Sequence, residues 1–126
     1  MAAELILIIE DNEKNLKLVR DLLQVKGYRT LEAETAELGI ELARRHTPHV
    51  ILMDIQLPGM DGLQATALLK ADDATSDIPV IALTALAMKG DEERILAAGC
   101  DGYVAKPLDY KDFLAVVAAT LAKVPR

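Results

Sequence analysis

The sequence predicts an α/β fold, a doubly wound three-layer sandwich of five βα units around one parallel sheet in strand order 2-1-3-4-5. Two observations lead there. Strand-like and helix-like runs alternate five times along the chain, with no linker, repeat or low-complexity segment between them. Alternation of this kind builds a parallel sheet covered on both faces. Runs one, three and four are almost purely apolar, as doubly buried strands should be, whereas runs two and five are more polar or shorter, as edge strands often are. The order 2-1-3-4-5 puts runs two and five at the edges. A closed barrel is disfavoured, since these units are too few to close one.

Each element has its own signal. LILII (5–9) is the first strand and runs into Glu10-Asp11. A helix follows near 13–26, with Leu16, Val19, Leu22 and Leu23 on one face, Asp11 or Asn12 as its cap and Gly27 as its stop. YRTLEA (28–33) is the second strand, and a helix near 36–46 comes after it. VILM (50–53) ends in Asp54 and the turn-forming IQLPGMDG (55–62), from which Asp61 caps a helix near 61–72. PVIALT (79–84) ends in Thr84, and a helix near 87–98 stops at Gly99. Gly90 weakens its first turns by about 1 kcal/mol relative to alanine. Asp91 offers a competing start that would leave AMKG (87–90) in a loop. GYVA (102–105), with Gly102 as a helix stop before it, leads into Lys106-Pro107. Asp109 then caps a helix near 109–123 that carries Phe113, Val116, Val117, Thr120, Leu121 and Val124 on one face.

Composition removes several function classes. The 126 residues suit one domain with one core, and 52% apolar with 27% charged residues is a folded, not a disordered, composition. A net charge of −6 opposes binding to a phosphate backbone, and three tyrosines with one phenylalanine make a poor stacking platform. The N-terminal apolar run is short and lacks a basic lead-in, so it does not read as a signal peptide. No segment approaches the roughly 20 apolar residues of a membrane span. The lone Cys100 fits a small buried residue in a reducing cytoplasm. His46 and His49, flanking Pro48 without cysteines, make a poor metal site.

Parallel strands bring their carboxyl ends to one edge, and ligands bind there at the switch point between strands one and three. Glu10, Asp11 and Asp54 flank that point, with Thr84 and Lys106 beyond them. Three crowded carboxylates repel one another, and a divalent cation relieves the conflict. Carboxylate oxygens, a backbone carbonyl and waters suit Mg²⁺. Thr84 offers a hydroxyl and Lys106 a point charge, both suited to a phosphoryl group. Asp54 then reads as a nucleophile that accepts a phosphoryl group.

The stretches IIEDN, LMDIQLPGMDG, ALTA and VAKP resemble the acidic pair, phosphoacceptor turn, switch threonine and Lys-Pro of response-regulator receiver domains, the CheY-like modules of two-component signalling. The resemblance spans the whole chain and implies their flavodoxin-like (βα)5 fold. It implies Mg²⁺, for which Mn²⁺ can substitute, held by Glu10, Asp11, Asp54 and the Gln56 carbonyl. It also implies Asp54 as phosphoacceptor, Thr84 and Lys106 on the phosphoryl oxygens, and a cis bond at Pro107. Thr84 and Tyr103 would form the switch, and Gln56 and Leu86 would line the water's approach to phosphorus. The implied partners are a sensor histidine kinase (or phosphatase) or a phosphotransfer protein, and a downstream protein. The latter would meet the face of the fourth helix, fifth strand and fifth helix near Ala87, Met88, Lys89, Tyr103 and Lys106-Pro107, a mildly apolar patch with positive charge.

More narrowly, DNEKNLKL, MDIQLPGMDGL and AMKGDEERI are similar to the DivK-type single-domain regulators of bacterial cell-cycle control; receivers of hybrid histidine kinases share the DNxxN and DIQ turns. Nothing follows the fifth helix beyond Val124-Pro125-Arg126, so the expectation is one receiver domain over 1–126 with no output domain. Such a protein is not an enzyme beyond its own phosphorylation and dephosphorylation. An Asp-nucleophile phosphohydrolase of the haloacid-dehalogenase kind is the alternative from another class. It wants an acid two residues after the nucleophile, where this chain has Gln56. A flavodoxin is opposed by the acidic EDNEKN where a flavin phosphate would sit.

Overall fold

The computed structural model describes residues 3–85, 89–106 and 108–123, with only the backbone at 89–91. Leu86, Ala87, Met88, Pro107 and Val124, to which the sequence assigns roles, lie outside the described residues, as does the Lys89 side chain. Five strands, β1 (Leu5–Ile9), β2 (Arg29–Ala33), β3 (Val50–Asp54), β4 (Val80–Thr84) and β5 (Gly102–Ala105), form one parallel sheet in the order β2-β1-β3-β4-β5. They alternate with α1 (Glu13–Val25), α2 (Ala36–His46), α3 (Gly62–Ala71), α4 (Lys89–Ala97) and α5 (Tyr110–Lys123). The predicted sandwich and strand order are both observed.

Period-two alternation along the central strands divides the core into two layers. Leu7, Ile9, Ile51, Met53, Val80 and Ala82 face α2, α3 and α4, where they meet Ile40, Ala65, Leu69 and Ile95. Ile6, Ile8, Val50, Leu52, Ile81 and Leu83 face α1 and α5, where they meet Leu16, Val19, Leu23, Phe113 and Val117. Every residue of β3 and β4 is buried, while the β5 edge exposes Tyr103 and Ala105.

The caps resolve one ambiguity that matters for the site. Asn12, not Asp11, caps α1, its side chain accepting from the N–H groups of Lys14 and Asn15. Asp11 is thereby left exposed beside the carboxyl end of β1. Asp61 and Gln64 close a reciprocal capping box on α3, and Asp109 accepts from the N–H groups of Lys111 and Asp112 at the start of α5. One expectation is corrected. Gly102 is the first residue of β5, not a helix stop; Gly99, at φ 108°, makes the turn after α4. The helix expected near 87–98 is observed as α4 from Lys89, so Lys89 and Gly90 are helical and the competing start at Asp91 is not the one used. Ile95 anchors this helix in the core, and a glycine penalty of about 1 kcal/mol is smaller than the gain from burying an isoleucine.

Candidate functional site

β1 and β3 are neighbours, and the pairing of Ile9 with Met53 delivers Glu10, Asp11 and Asp54 side by side at the carboxyl edge. Each offers a carboxylate oxygen, and these oxygens all lie within 4.8 Å of one another. Glu10 is fully buried, Asp54 is 4% exposed and Asp11 is exposed. The site therefore opens to solvent on the Asp11 side, with Asp54 at its floor.

Lys106 reaches in from the end of β5. Its Nζ lies 3.1 Å from Glu10 Oε1 and 3.3 Å from Asp54 Oδ1. The Gln56 backbone N–H donates to Asp54 Oδ1 at 3.0 Å, so the turn after the strand holds the carboxylate that the strand presents. Thr84 is buried at the end of β4, one residue beyond Leu83, which pairs with Asp54. Of the predicted site residues, Glu10, Asp11, Asp54 and Lys106 are brought together, and Thr84 ends the strand beside Asp54. The ion pair from Lys106 to Glu10 was not foreseen, because the two lie 96 residues apart and no local pattern links them.

Three like charges with one lysine leave an imbalance, and it falls on Glu10. Its Oε2 is buried and has no hydrogen-bond partner among the described residues. Burial first, and then the Asp54 carboxyl, push the Glu10 acid from 4.5 up to about 7, with Lys106 opposing. A partnerless buried carboxylate oxygen beside two further carboxylates is a donor set that fits a hard divalent cation.

In metal-free protein this has a measurable consequence. Between pH 4.5 and about 7 the unfolded chain ionises Glu10 while the folded chain keeps its proton. The native state then binds more protons, so stability falls as pH rises through that window. The expected loss is at most about 3 kcal/mol. Urea midpoints measured in chelator across this range should show the slope, and Glu10→Gln should flatten it. A wild-type profile as flat as the variant's would mean that Glu10 ionises freely.

Tyr103 stands outward on β5, 38% exposed, on the strand next to Thr84. The Glu92 carboxylate of α4 lies beside its hydroxyl, and partial burial and this charge raise the phenol above its ordinary value. A cavity of about 510 Å³ lies between β5 and α5, lined by Tyr103, Val104, Ala105, Asp109, Asp112 and Val116. Of the expected positive patch, Ala87, Met88, the Lys89 side chain and Pro107 lie outside the described residues, and Tyr103 and Lys106 are described. Asp109 and Asp112 give the groove acidic walls, and Lys106 is turned inward to Glu10 and Asp54.

Other candidates are structural. Cys100 is buried, its thiol raised mainly by burial and directed at Thr66 Oγ1. His46 ends α2, and His49 Nδ1 accepts the Leu5 N–H at 3.0 Å. No helix among the described residues is long and apolar enough to cross a membrane.

The family model described as the response regulator receiver domain matches residues 6–118. The chain is 49% identical over 116 residues to the polar-differentiation response regulator DivK of Brucella anthropi, covering 92% of this chain and 94% of that protein. The corresponding protein of Brucella ovis is 48% identical with the same coverage. Among solved structures, the receiver domain of a Pseudomonas aeruginosa sensor histidine kinase superposes with a TM-score of 0.90 at 34% identity, covering 97% of this chain and all of that one. It holds a magnesium ion in its active-site cleft.

Proposed function

The chain belongs to the response regulator receiver domain family, and from that premise we propose that it works by taking a phosphoryl group on Asp54 in a phosphorelay. The observation that carries this reading is the convergence of Glu10, Asp11, Asp54 and Lys106 on one cleft, with Glu10 Oε2 partnerless inside it. Glu10, Asp11, Asp54 and the Gln56 carbonyl would hold Mg²⁺, with Mn²⁺ as a substitute. Bound there, the cation offsets the carboxylate charge and polarises the incoming phosphoryl group.

The chain's own residues do the rest. The Gln56 N–H fixes one Asp54 oxygen, leaving the other to attack phosphorus. The bond from phosphorus to the donor's histidine nitrogen or acyl oxygen breaks as the aspartyl phosphate forms. Lys106, already 3.3 Å from Asp54, follows the charge onto the phosphoryl oxygens, and the Thr84 hydroxyl takes another. Hydrolysis returns the free carboxylate, so the protein acts only on itself.

The partners are a histidine kinase (or phosphatase) or phosphotransfer protein upstream and a protein target downstream, all in the cytoplasm. The identity to DivK over nearly the whole chain supports a role in cell-cycle or cell-division control. The signal leaves through the face of α4, β5 and α5. Thr84 moves towards the phosphoryl group, and Tyr103 on the adjacent strand turns inward.

Incubation with acetyl phosphate and intact-mass analysis tests the chemistry. One phosphoryl group should appear with Mg²⁺ and none with chelator, and Asp11→Ala should take up little at any practical Mg²⁺ concentration. Uptake in chelator equal to that in Mg²⁺ would end the metal assignment. For the output, Thr84→Ala should still be phosphorylated but should weaken the response of Tyr103 severalfold. Amide exchange with and without beryllofluoride reads this directly. Protection changes confined to the neighbourhood of Asp54 in wild type would remove this face as the output.

A further inference from the structure

Gly62 is the first residue of α3 and is buried, yet its backbone needs no glycine: among the described residues positive φ occurs at Thr47, Gly27, Gly59 and Gly99, not here. Glycine is a poorer helix former than alanine. What the position requires is space. A Cβ on Gly62 would overlap the Asp54 carbonyl oxygen and stand 2.8 Å from Ile55 Cα and 3.0 Å from the Asp54 carbonyl carbon. All three are backbone atoms, which cannot rotate away as a side chain can.

The same residue is tied to the next peptide, Ile55–Gln56. The Gly62 N–H donates to the Ile55 carbonyl at 3.0 Å, and Thr66 Oγ1 donates to the Gly62 carbonyl at 2.8 Å. The capping box of Asp61 and Gln64 fixes the helix start from the other side. The first turn of α3 is therefore a stop against which the Asp54–Ile55 peptide rests. Asp54 and Gln56, whose N–H orients the carboxylate, flank that stop. Gly39 offers a natural contrast. It packs α2 against β1 just as tightly, but the three atoms nearest a Cβ there all belong to the Ile9 side chain, Cδ1, Cγ1 and Cγ2.

We propose that Gly62 is a positioning residue for the phosphoacceptor: its missing side chain lets α3 set the backbone of Asp54 at the depth where its carboxylate meets Glu10, Asp11 and Lys106. The inference rests on the reading of Asp54 as phosphoacceptor. Any side chain at position 62 must push that peptide and the helix apart, and the carboxylate moves with its backbone. Octahedral Mg²⁺ coordination and in-line transfer both tolerate little displacement.

The test compares Gly62→Ala, Gly39→Ala and wild type at equal folded fraction, checked by circular dichroism. Mg²⁺ affinity is measured by calorimetry, and uptake from acetyl phosphate by intact mass. Both alanine variants should lose stability. Gly62→Ala should in addition bind Mg²⁺ on the order of tenfold more weakly and phosphorylate at least as much more slowly, whereas Gly39→Ala should stay within about twofold of wild type. Equal Mg²⁺ affinity and uptake in Gly62→Ala and wild type would overturn the proposal, and so would equal losses in the two variants. Should Gly62→Ala fail to fold, Thr66→Val, which frees the Gly62 carbonyl without adding bulk, should weaken Mg²⁺ binding about threefold; an unchanged affinity would then overturn it. A wild-type protein that neither binds Mg²⁺ nor takes phosphate would instead refute the function on which the inference rests.

Discussion

Asp54→Asn should take up no phosphoryl group under conditions that fully modify the wild-type protein. The amide is nearly the same size, so the buried position at the end of β3 tolerates it. It lacks the anionic oxygen that attacks phosphorus, and it is a weaker ligand for a hard cation. No other carboxylate can replace it. Glu10 is fully buried with one oxygen held by Lys106, and Asp11 is exposed at the mouth of the cleft. The same substitution has an opposite effect on stability. It removes the charge that helps raise the Glu10 acid, so metal-free Asp54→Asn should be as stable as wild type near neutral pH or more stable, by about 1 kcal/mol. Intact mass and urea midpoints on the same sample separate the two. A phosphorylated Asp54→Asn protein would end the assignment of Asp54, and a large loss of stability would mean that the residue serves the fold.

Phe113→Ala should cost about 3–5 kcal/mol, a large part of the roughly 5–15 kcal/mol that holds a domain of this size. Phe113 is the chain's one phenylalanine and is fully buried on α5. It belongs to the layer in which Ile8, Leu52, Leu83 and Val104 of four strands meet α1 and α5. Truncation opens a cavity there that rigid β-strands cannot collapse to fill. The thermal midpoint should drop by roughly 10–20 °C. The urea m-value should stay unchanged, since the surface exposed on unfolding hardly changes. Because Asp54 and Glu10 stand at the ends of the strands, the folded fraction should still bind Mg²⁺. A loss below about 1 kcal/mol would mean that α5 does not pack on the sheet as described.

What the sequence determined by itself is the local grammar. Alternating apolar runs set the order of strands and helices, and burial on both faces marked β1, β3 and β4 as central. Residue types at strand ends named Glu10, Asp11, Asp54, Thr84 and Lys106 before any coordinates. These signals are legible because periodicity, capping and turn chemistry act over a few residues. Even there, chemistry with two solutions stayed open: Asp11 and Asn12 are both competent caps, and Asp91 offers a rival start for the helix near 87–98.

Only the tertiary structure decided the rest, because it depends on residues far apart in the chain. It chose Asn12 as the cap and so freed Asp11 for the cleft. It buried Glu10 completely and brought Lys106 across the sheet to pair with it, which leaves one carboxylate oxygen unsatisfied. It also gave the groove beside Tyr103 acidic walls, since Asp109 and Asp112 come from α5 and the tyrosine from β5. Gly62 shows the division most clearly. In sequence it is one more turn glycine after Asp61; in space it is the gap through which α3 touches the backbone of Asp54. Close packing between segments fixes such distances, and no local propensity encodes them.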